Sequence, residues 1–400
     1  MLEILIFCFL GSLLGFLSGL IPSLHQNLII PLLITLFIDK HLAFSFLISL
    51  AIAQNFGNFI SSLLFSSPPE EISLSLLPSQ RLAKKNRLFE AYKISLLSVF
   101  SIPISVLIAF LFSNFLAKFY QYLEIFIAPL LLYFLSLIFY QEEKKLLSLI
   151  IFFISGIFGI FAFNFLEFNK AILAMFSGFF AMPNIIINIL FPSEILKKQE
   201  EVEIEMDKFD IFKGISLGIF GGIISGLLPS LGPSQILLTF QSFLNDKVFI
   251  LASSSMFFSN EIFSLTNSYT IENPRSGLAV YLTQKFGKFE YEDFIISLVS
   301  ILLASSFGII FSIFVFSKIF NLVKNLNYRF LNTLIFSIIV LIVLIFSGLE
   351  GLLILFISTS LALLTILLEV KRSYLIGSLT FSTLLIYSKT YPYLLMFLNL

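Results

Sequence analysis

Apolar runs of about 20 residues follow one another along nearly the whole chain, with short polar connections between them. Hydrophobic residues make up 58% of the 400 residues and charged residues 12%, whereas soluble domains carry about 25% charged residues. A water-soluble core cannot bury that much apolar surface, so these runs need lipid as their solvent. We therefore expect an all-α, polytopic protein of the cell membrane with about 10–14 membrane segments, some of them broken or re-entrant.

The composition also excludes several functional classes. The net charge is zero, so nothing suggests a surface for nucleic acid. Cys8 is the single cysteine, which excludes an internal disulfide, and two histidines are too few for a histidine-rich metal site. The sequence holds no Walker loop, no HExxH motif and no Ser-His-Asp arrangement in a recognisable elbow. We therefore expect neither an enzyme nor a chain that binds a metal or an organic cofactor.

One string of 14 residues occurs twice. Residues 11–24 return as residues 218–231 at an offset of 207, and eight of the 14 positions are identical. Chance would give about one identity, so the match indicates an internal duplication. We predict a first transmembrane repeat over residues 1–191, a solvated charged linker over 192–210 and a second transmembrane repeat over 211–400. The basic loops favour parallel repeats, whereas the odd number of segments per half favours the inverted repeats that we expect.

Glycines recur every four residues in both copies of the string, a spacing that places them on one face of a helix. A face of this kind lets the backbone of a neighbouring helix approach closely. We therefore predict a packing role for six structural glycines: Gly11, Gly15, Gly19, Gly218, Gly222 and Gly226.

A proline then breaks each apolar segment, at Pro22 and Pro229. The residue before a proline disfavours the helical region, so each helix should end there. Ser23 and Ser230 follow, and serine is a favoured N-cap, so we predict that each caps the next helical arm.

The arms that follow the breaks, at about 24–38 and 234–245, are too short to span a bilayer and are predicted to be half-helices or re-entrant segments. A helix N-terminus inside the membrane presents free N–H groups and the positive end of a dipole, which can bind an anion. Broken apolar segments at matching places in two halves indicate the binding site of a secondary transporter.

Polar residues cluster near the breaks and in the third apolar segment of each half. Amides such as those of Asn55 and Asn260 can bind a cation through oxygen or an anion through NH₂, although interhelical hydrogen bonds explain them equally well. Glu261 is one of few carboxylates that fall within an apolar segment, so Na⁺ fits better than protons as a coupling ion. The predicted substrate- or ion-binding residues are Pro22, Ser23, His25, Asn27, Asn55, Asn58, Pro229, Ser230, Gly232, Ser234 and Asn260.

The repeated glycine-rich segment ending in Gly-Leu-x-Pro resembles the signature of the large membrane subunit of tripartite tricarboxylate transporters (the TctA family), and more closely its archaeal-type branch. Stretches at 68–91, 272–279, which contains Pro-Arg-Ser-Gly, and 369–377 extend the resemblance over most of the chain. The resemblance implies ion-coupled import of a carboxylate. In the bacterial family a small membrane subunit and a binding protein assist. The family usually has Pro-Gly where this chain has Ser23 and Ser230.

Two other functions remain open beside a carrier of a small anionic substrate. A flippase-like carrier of a lipid-linked phosphate would use the same helix ends and would need a lateral opening to the bilayer. A non-transporting membrane scaffold would instead tolerate changes at the polar residues of the motif.

Overall fold

The computed structural model describes residues 2–21, 24, 26–65, 76–190, 199, 202–323 and 328–393. This described part of the chain is helical and contains no strand, and nine of its helical stretches are long and apolar enough to cross a membrane. The prediction of an all-α, polytopic membrane protein is confirmed.

The first ten helices are α1 (Leu2–Gly19), α2 (Gln26–Leu33), α3 (Lys40–Phe65), α4 (Leu76–Lys84), α5 (Leu88–Leu97), α6 (Ser101–Leu123), α7 (Ile127–Tyr140), α8 (Lys145–Phe165), α9 (Phe168–Phe176) and α10 (Met182–Leu190). The remaining seven are α11 (Lys208–Leu227), α12 (Pro233–Phe240), α13 (Asp246–Thr270), α14 (Gly277–Phe286), α15 (Tyr291–Val323), α16 (Tyr328–Leu367) and α17 (Gly377–Tyr387).

Two of the nine stretches are about as long as two membrane crossings or longer, since one crossing takes about 20 residues. The stretch Leu88–Tyr140 is 53 residues long and contains α5, α6 and α7. Helix α16 is 40 residues long and is interrupted at Gly348, which has a φ of 69°. Glycine adopts such a positive φ with little strain. The two segments that the sequence predicts at 329–347 and 350–369 meet at this glycine.

Two regions predicted as basic loops contain short helices, α4 and α14. In α14 the buried residues Leu278, Ala279 and Leu282 follow the helical period, and Ser276 caps the helix by accepting a hydrogen bond from the Ala279 N–H. The prediction of a loop was wrong here because the basic and proline residues concealed this short apolar face.

The described chain divides into two compact units, and each unit draws segments from both halves of the sequence. The compact units and the predicted sequence repeats are therefore different divisions of the chain. The first unit contains residues 1–121, 193–227 and 240–326, and the second contains residues 122–192, 228–239 and 327–400.

In the first unit the glycine face of α1 lies directly on the backbone of α3. A Cβ atom placed on Gly11 would lie 2.2 Å from the carbonyl oxygen of Phe46. A Cβ on Gly15 would lie 2.1 Å from the carbonyl oxygen of Leu50, and one on Gly19 would lie 2.2 Å from another backbone oxygen of α3. No side chain fits at these distances, so only glycine permits this approach.

The glycine face of α11 packs on α13 in the corresponding manner, also within the first unit. A Cβ atom on Gly218 would lie 2.3 Å from the Cβ of Ser255, and one on Gly222 would lie 2.3 Å from the Cβ of Ser259. A Cβ on Gly226 would lie 2.9 Å from the nearest side-chain atom. At all six glycines an added Cβ would therefore lie within 3 Å of an atom of α3 or α13.

Helices α3 and α13, which receive the two glycine faces, are buried along nearly their whole length. The Phe258 ring of α13 packs on two rings of α3, with centroid distances of 4.8 Å to Phe56 and 5.6 Å to Phe59. The two glycine-packed helix pairs therefore meet through aromatic contacts between α3 and α13.

The described end of the charged linker docks on the first unit, so the prediction of a solvated linker is wrong for residues 202–207. Ile204 and Met206 pack against an apolar cluster formed by α4, α5 and α13. Between them Glu205 accepts a hydrogen bond of 2.8 Å from Arg87, which lowers the pKa of Glu205 below its ordinary value. The linker alternates apolar and charged residues, and the apolar ones supply the contact.

We expect Gly15→Ala to lower the stability of the protein by about 1–3 kcal/mol, because the new methyl group would force α1 away from the backbone of α3. The matched control is Gly214→Ala on α11, whose Cβ would meet only side-chain atoms of Leu251, which can move aside. Thermal unfolding of the purified variants measures both effects. An equal loss in the two variants would contradict backbone contact as the reason for Gly15.

We expect the linker to loosen at acid pH. Because the folded-state pKa of Glu205 lies below the ordinary value of 4.5, its contact with Arg87 is complete above that pH and is lost as the pH falls through the folded value. Hydrogen–deuterium exchange at residues 202–207, corrected for intrinsic rates, should rise in that range. Glu205→Gln should show the faster exchange already at neutral pH, whereas Glu203→Gln, at an exposed position, should behave like the unchanged protein.

Candidate functional site

In the first unit the end of α1 is held by side chains of α3. The buried amide of Gln54 donates one hydrogen bond of 3.1 Å to the Ser18 hydroxyl and one of 2.7 Å to the carbonyl oxygen of Leu24. The Ser61 hydroxyl donates a hydrogen bond of 2.8 Å to the carbonyl oxygen of Gly19, the last residue of α1. These bonds satisfy polar groups that a helix end would otherwise leave without partners inside the membrane.

The end of α11 is held by α13 in a similar way. The Asn267 amide donates a hydrogen bond of 2.6 Å to the carbonyl oxygen of Gly226. Gly226 is the duplicate of Gly19, and Asn267 follows Ser61 by nearly the same interval. In both copies a side chain of the long buried helix therefore occupies the carbonyl of the last motif glycine. The sequence comparison missed this pair because a serine and an asparagine do not match.

Three asparagines of the predicted site lie on α3 and α13 in the first unit. Asn55 is only 2% exposed, and its amide nitrogen has no hydrogen-bond partner. Asn58 is also buried, and its backbone nitrogen lies against Gly19. Asn260 is partly exposed, and its backbone nitrogen lies against Gly222. The structure therefore places Asn58 and Asn260 beside the two glycine faces and leaves a free donor at Asn55.

The second unit contains the turn after the second break. Helix α11 ends at Leu227, Pro229 lies in the turn, and α12 begins at Pro233. The carbonyl oxygen of Gly232 accepts the N–H of Gln235, and Ser234 is buried in the first turn of α12. The predicted short arm is therefore present, with Gly232 at its N-terminus.

Ser230 does not cap α12, which corrects the sequence prediction. The helix begins three residues later, and the Ser230 hydroxyl hydrogen-bonds instead with the Thr383 hydroxyl of α17. Ser230 has a φ of 59°, in the left-handed region that favours glycine. The turn after Pro229 therefore places a serine in a backbone conformation that favours glycine.

The first break lies partly outside the described residues. This applies to the predicted site residues Pro22, Ser23 and His25. Asn27 lies within α2, and its side chain falls outside the description.

A buried pair that the sequence did not predict joins α2 to α13 in the first unit. The Gln26 amide donates a hydrogen bond of 2.8 Å to Oε1 of Glu261. Gln26 is 3% exposed and Glu261 is 2% exposed. Among the described residues, the second oxygen of each group, Oε1 of Gln26 and Oε2 of Glu261, has no hydrogen-bond partner of normal geometry. The sequence showed that Glu261 lies in an apolar segment, but nothing in it indicated Gln26 as its partner.

The Pro-Arg-Ser-Gly motif joins α13 to α14 in the same unit. Arg275 donates a hydrogen bond of 2.6 Å to the Tyr120 hydroxyl, and its guanidinium lies 5.7 Å from the centre of that ring. The Ser276 N–H donates to the Ser264 hydroxyl at 2.6 Å. The motif therefore fixes the start of α14 against α13, on the same helix as Glu261.

The polar groups of the first unit offer two kinds of chemistry. The free amide of Asn55 is a donor and suits an anion, whereas the free oxygens of Gln26 and Glu261 are acceptors and suit a cation. Among the described residues, no group of three or more His, Cys, Asp or Glu side chains is arranged to hold a metal ion.

We expect Ser230→Gly to leave stability nearly unchanged, because relief of the left-handed backbone, worth about 1 kcal/mol, offsets the lost hydroxyl contact with Thr383. Ser230→Ala loses the same hydrogen bond and keeps the strain, so its stability should fall by about 1 kcal/mol. Thermal unfolding of both variants provides the comparison. Equal losses in the glycine and alanine variants would show that the backbone at Ser230 is not strained.

Known protein sequences resemble this chain over most of its length. The chain is 30% identical over 355 residues to an uncharacterized protein of Methanocaldococcus jannaschii, a match that covers 85% of this chain and 87% of the relative. The search of solved structures found no match. Residues 5–377 match the family described as the tripartite tricarboxylate transporter TctA family. The chain therefore belongs to the tripartite tricarboxylate transporter TctA family and is a multi-pass membrane protein of a transporter family.

Proposed function

We propose that this protein is a secondary active carrier of the cell membrane that couples the movement of a cation to the import of a small organic anion, such as a di- or tricarboxylate. Its membership of the TctA family is the observation that carries the proposal. The absence of a Walker loop from the sequence favours a gradient over ATP as the energy source. The protein itself would perform transport and no covalent chemistry.

The buried amide of Asn55 supports an anion as the substrate. Its nitrogen is a donor without a partner at a depth where unsatisfied polar groups are costly. A carboxylate oxygen that accepted this N–H would remove the cost. Asn55 also lies on α3, directly after Gln54, which holds the connection at the first break. We therefore assign Asn55 to the substrate site.

We further propose that residues 1–191 and 211–400 are pseudo-symmetric repeats, each with its own broken helix. The similar holding of Gly19 by Ser61 and of Gly226 by Asn267 supports this division. Sodium is the coupling ion that the sequence favours. The family description as tripartite supports a small membrane subunit and a binding protein as partners.

Uptake by the purified protein in liposomes tests the carrier function. We expect accumulation of radiolabelled citrate or succinate when a sodium gradient is present. Asn55→Leu should reduce the uptake at least about tenfold, because one good hydrogen bond to a charged group is worth about 1.5–3 kcal/mol. Its stability should not fall, since the leucine has a similar size and removes an unpartnered donor.

The matched control is Asn164→Leu on α8, where the amide bonds only to the Ile160 carbonyl of its own helix. This variant should transport normally. Unchanged uptake by Asn55→Leu would remove Asn55 from the site. Thermal stabilisation by lipid phosphates alone would favour the flippase-like carrier, and the absence of any ligand response or uptake would favour the scaffold.

A further inference from the structure

We propose that Glu261 and Gln26 form the site at which the coupling cation binds, one monovalent positive charge for each carboxylate. The inference rests on the proposed carrier function and deepens it. It is carried by the geometry of the pair, in which two nearly fully buried side chains share one hydrogen bond of 2.8 Å and each retains an oxygen without a partner.

The electrostatics of Glu261 differ from those of a structural carboxylate. An ionised carboxylate removed from water carries a large free-energy penalty, which an opposite charge and further hydrogen bonds must offset. Glu90, which is also fully buried in the first unit, meets this need through Lys247 at 2.8 Å and Arg87 at 2.6 Å. Glu261 receives one neutral amide. Its carboxylate is therefore completed by an added cation and not by the protein.

Several cationic groups on or near α13 already have partners elsewhere in the described chain. Besides the partners of Glu90, Arg81 pairs with Asp246, Lys40 and His41 lie beside Asp293, Lys285 donates to the Ile34 carbonyl, and Arg275 donates to Tyr120. The Ser276 side chain also approaches the Glu261 carboxylate, without forming a hydrogen bond of normal geometry to Oε2. None of these groups supplies the positive charge that Glu261 needs.

The two free oxygens suit either source of a monovalent charge. A sodium ion takes oxygen ligands, and Oε2 of Glu261 and Oε1 of Gln26 are both vacant acceptors. A proton on Oε2 of Glu261 would turn that atom into a donor, for which Oε1 of Gln26 is a vacant acceptor. In both cases the neutral, occupied pair links the N-terminal end of α2, directly after the first break, to the middle of α13.

The test compares the unchanged full-length protein with Glu261→Gln by thermal unfolding, with no carboxylate present. Glutamine keeps the size of the side chain and mimics its neutral state, so this variant should fold. In one series NaCl replaces choline chloride at constant ionic strength. In the other, the pH is lowered from neutral to mildly acid without sodium. Glu292→Gln, which neutralises an exposed carboxylate at the start of α15, is the matched control.

We expect the cation to raise the Tm of the unchanged protein and of Glu292→Gln by about 2–5 °C, and to have no effect on Glu261→Gln. A response in the sodium series assigns the site to Na⁺. A response in the pH series alone, taken as the difference in Tm from Glu261→Gln, assigns it to a proton. The proposal is overturned if Glu261→Gln responds like the unchanged protein, or if the unchanged protein responds in neither series.

The proposed cation site and the proposed carrier function can be refuted separately. Because the series contain only the cation, a retained cation response without carboxylate uptake would refute the carrier and leave the cation site. If the protein took up carboxylate and Glu261→Gln still responded to the cation like the unchanged protein, the carrier function would stand and the proposed cation site would be refuted.

Discussion

Direct contact between helix backbones, made through glycine, is the constraint on which the first unit depends. Inside a bilayer no hydrophobic force draws two helices together, so their association relies on close packing and hydrogen bonds. The glycine faces of α1 and α11 carry no side chains of their own, which brings α1 against the backbone of α3 and α11 against Cβ atoms of α13. This approach also brings the helix ends within reach of Ser61 and Asn267. The close approach of these helices therefore accounts both for their packing and for the hydrogen bonds at the helix ends.

The features that were predictable from the sequence are those set by local spacing. Glycines four residues apart indicated a helix contact wherever the partner lay, and the prolines indicated the short arms that became α2 and α12. Partners distant in sequence were not predictable. Gln26 and Glu261 are 235 positions apart, and Ser230 and Thr383 are 153 apart. The exchange of segments between the compact units is likewise a property of the whole fold, so the sequence halves did not indicate it.

Buried polar groups in this protein differ in whether other protein groups serve as their partners. Gln54 and Asn267 use their amide N–H groups to hold backbone carbonyls, and Glu90 is neutralised by two cationic side chains. These contacts stabilise the fold, although Oδ1 of Asn267 has no hydrogen-bond partner among the described residues. Asn55 and Glu261 are as deeply buried and lack this completion. A buried polar group that lacks a partner at membrane depth, such as Asn55 or Glu261, marks a candidate position for a bound ligand.

The occupied carbonyls at the ends of α1 and α11 have a consequence for any ligand that reaches them. A carbonyl oxygen that already accepts from Ser61 or Asn267 is not a vacant ligand, so an incoming cation must compete with that side chain. Such competition needs only a rotation of the serine or asparagine side chain, while the glycine contact keeps the backbone still. The competing group is the Ser61 hydroxyl at the end of α1 and the Asn267 amide at the end of α11. The duplicated motif would therefore release its two carbonyls at different cation concentrations.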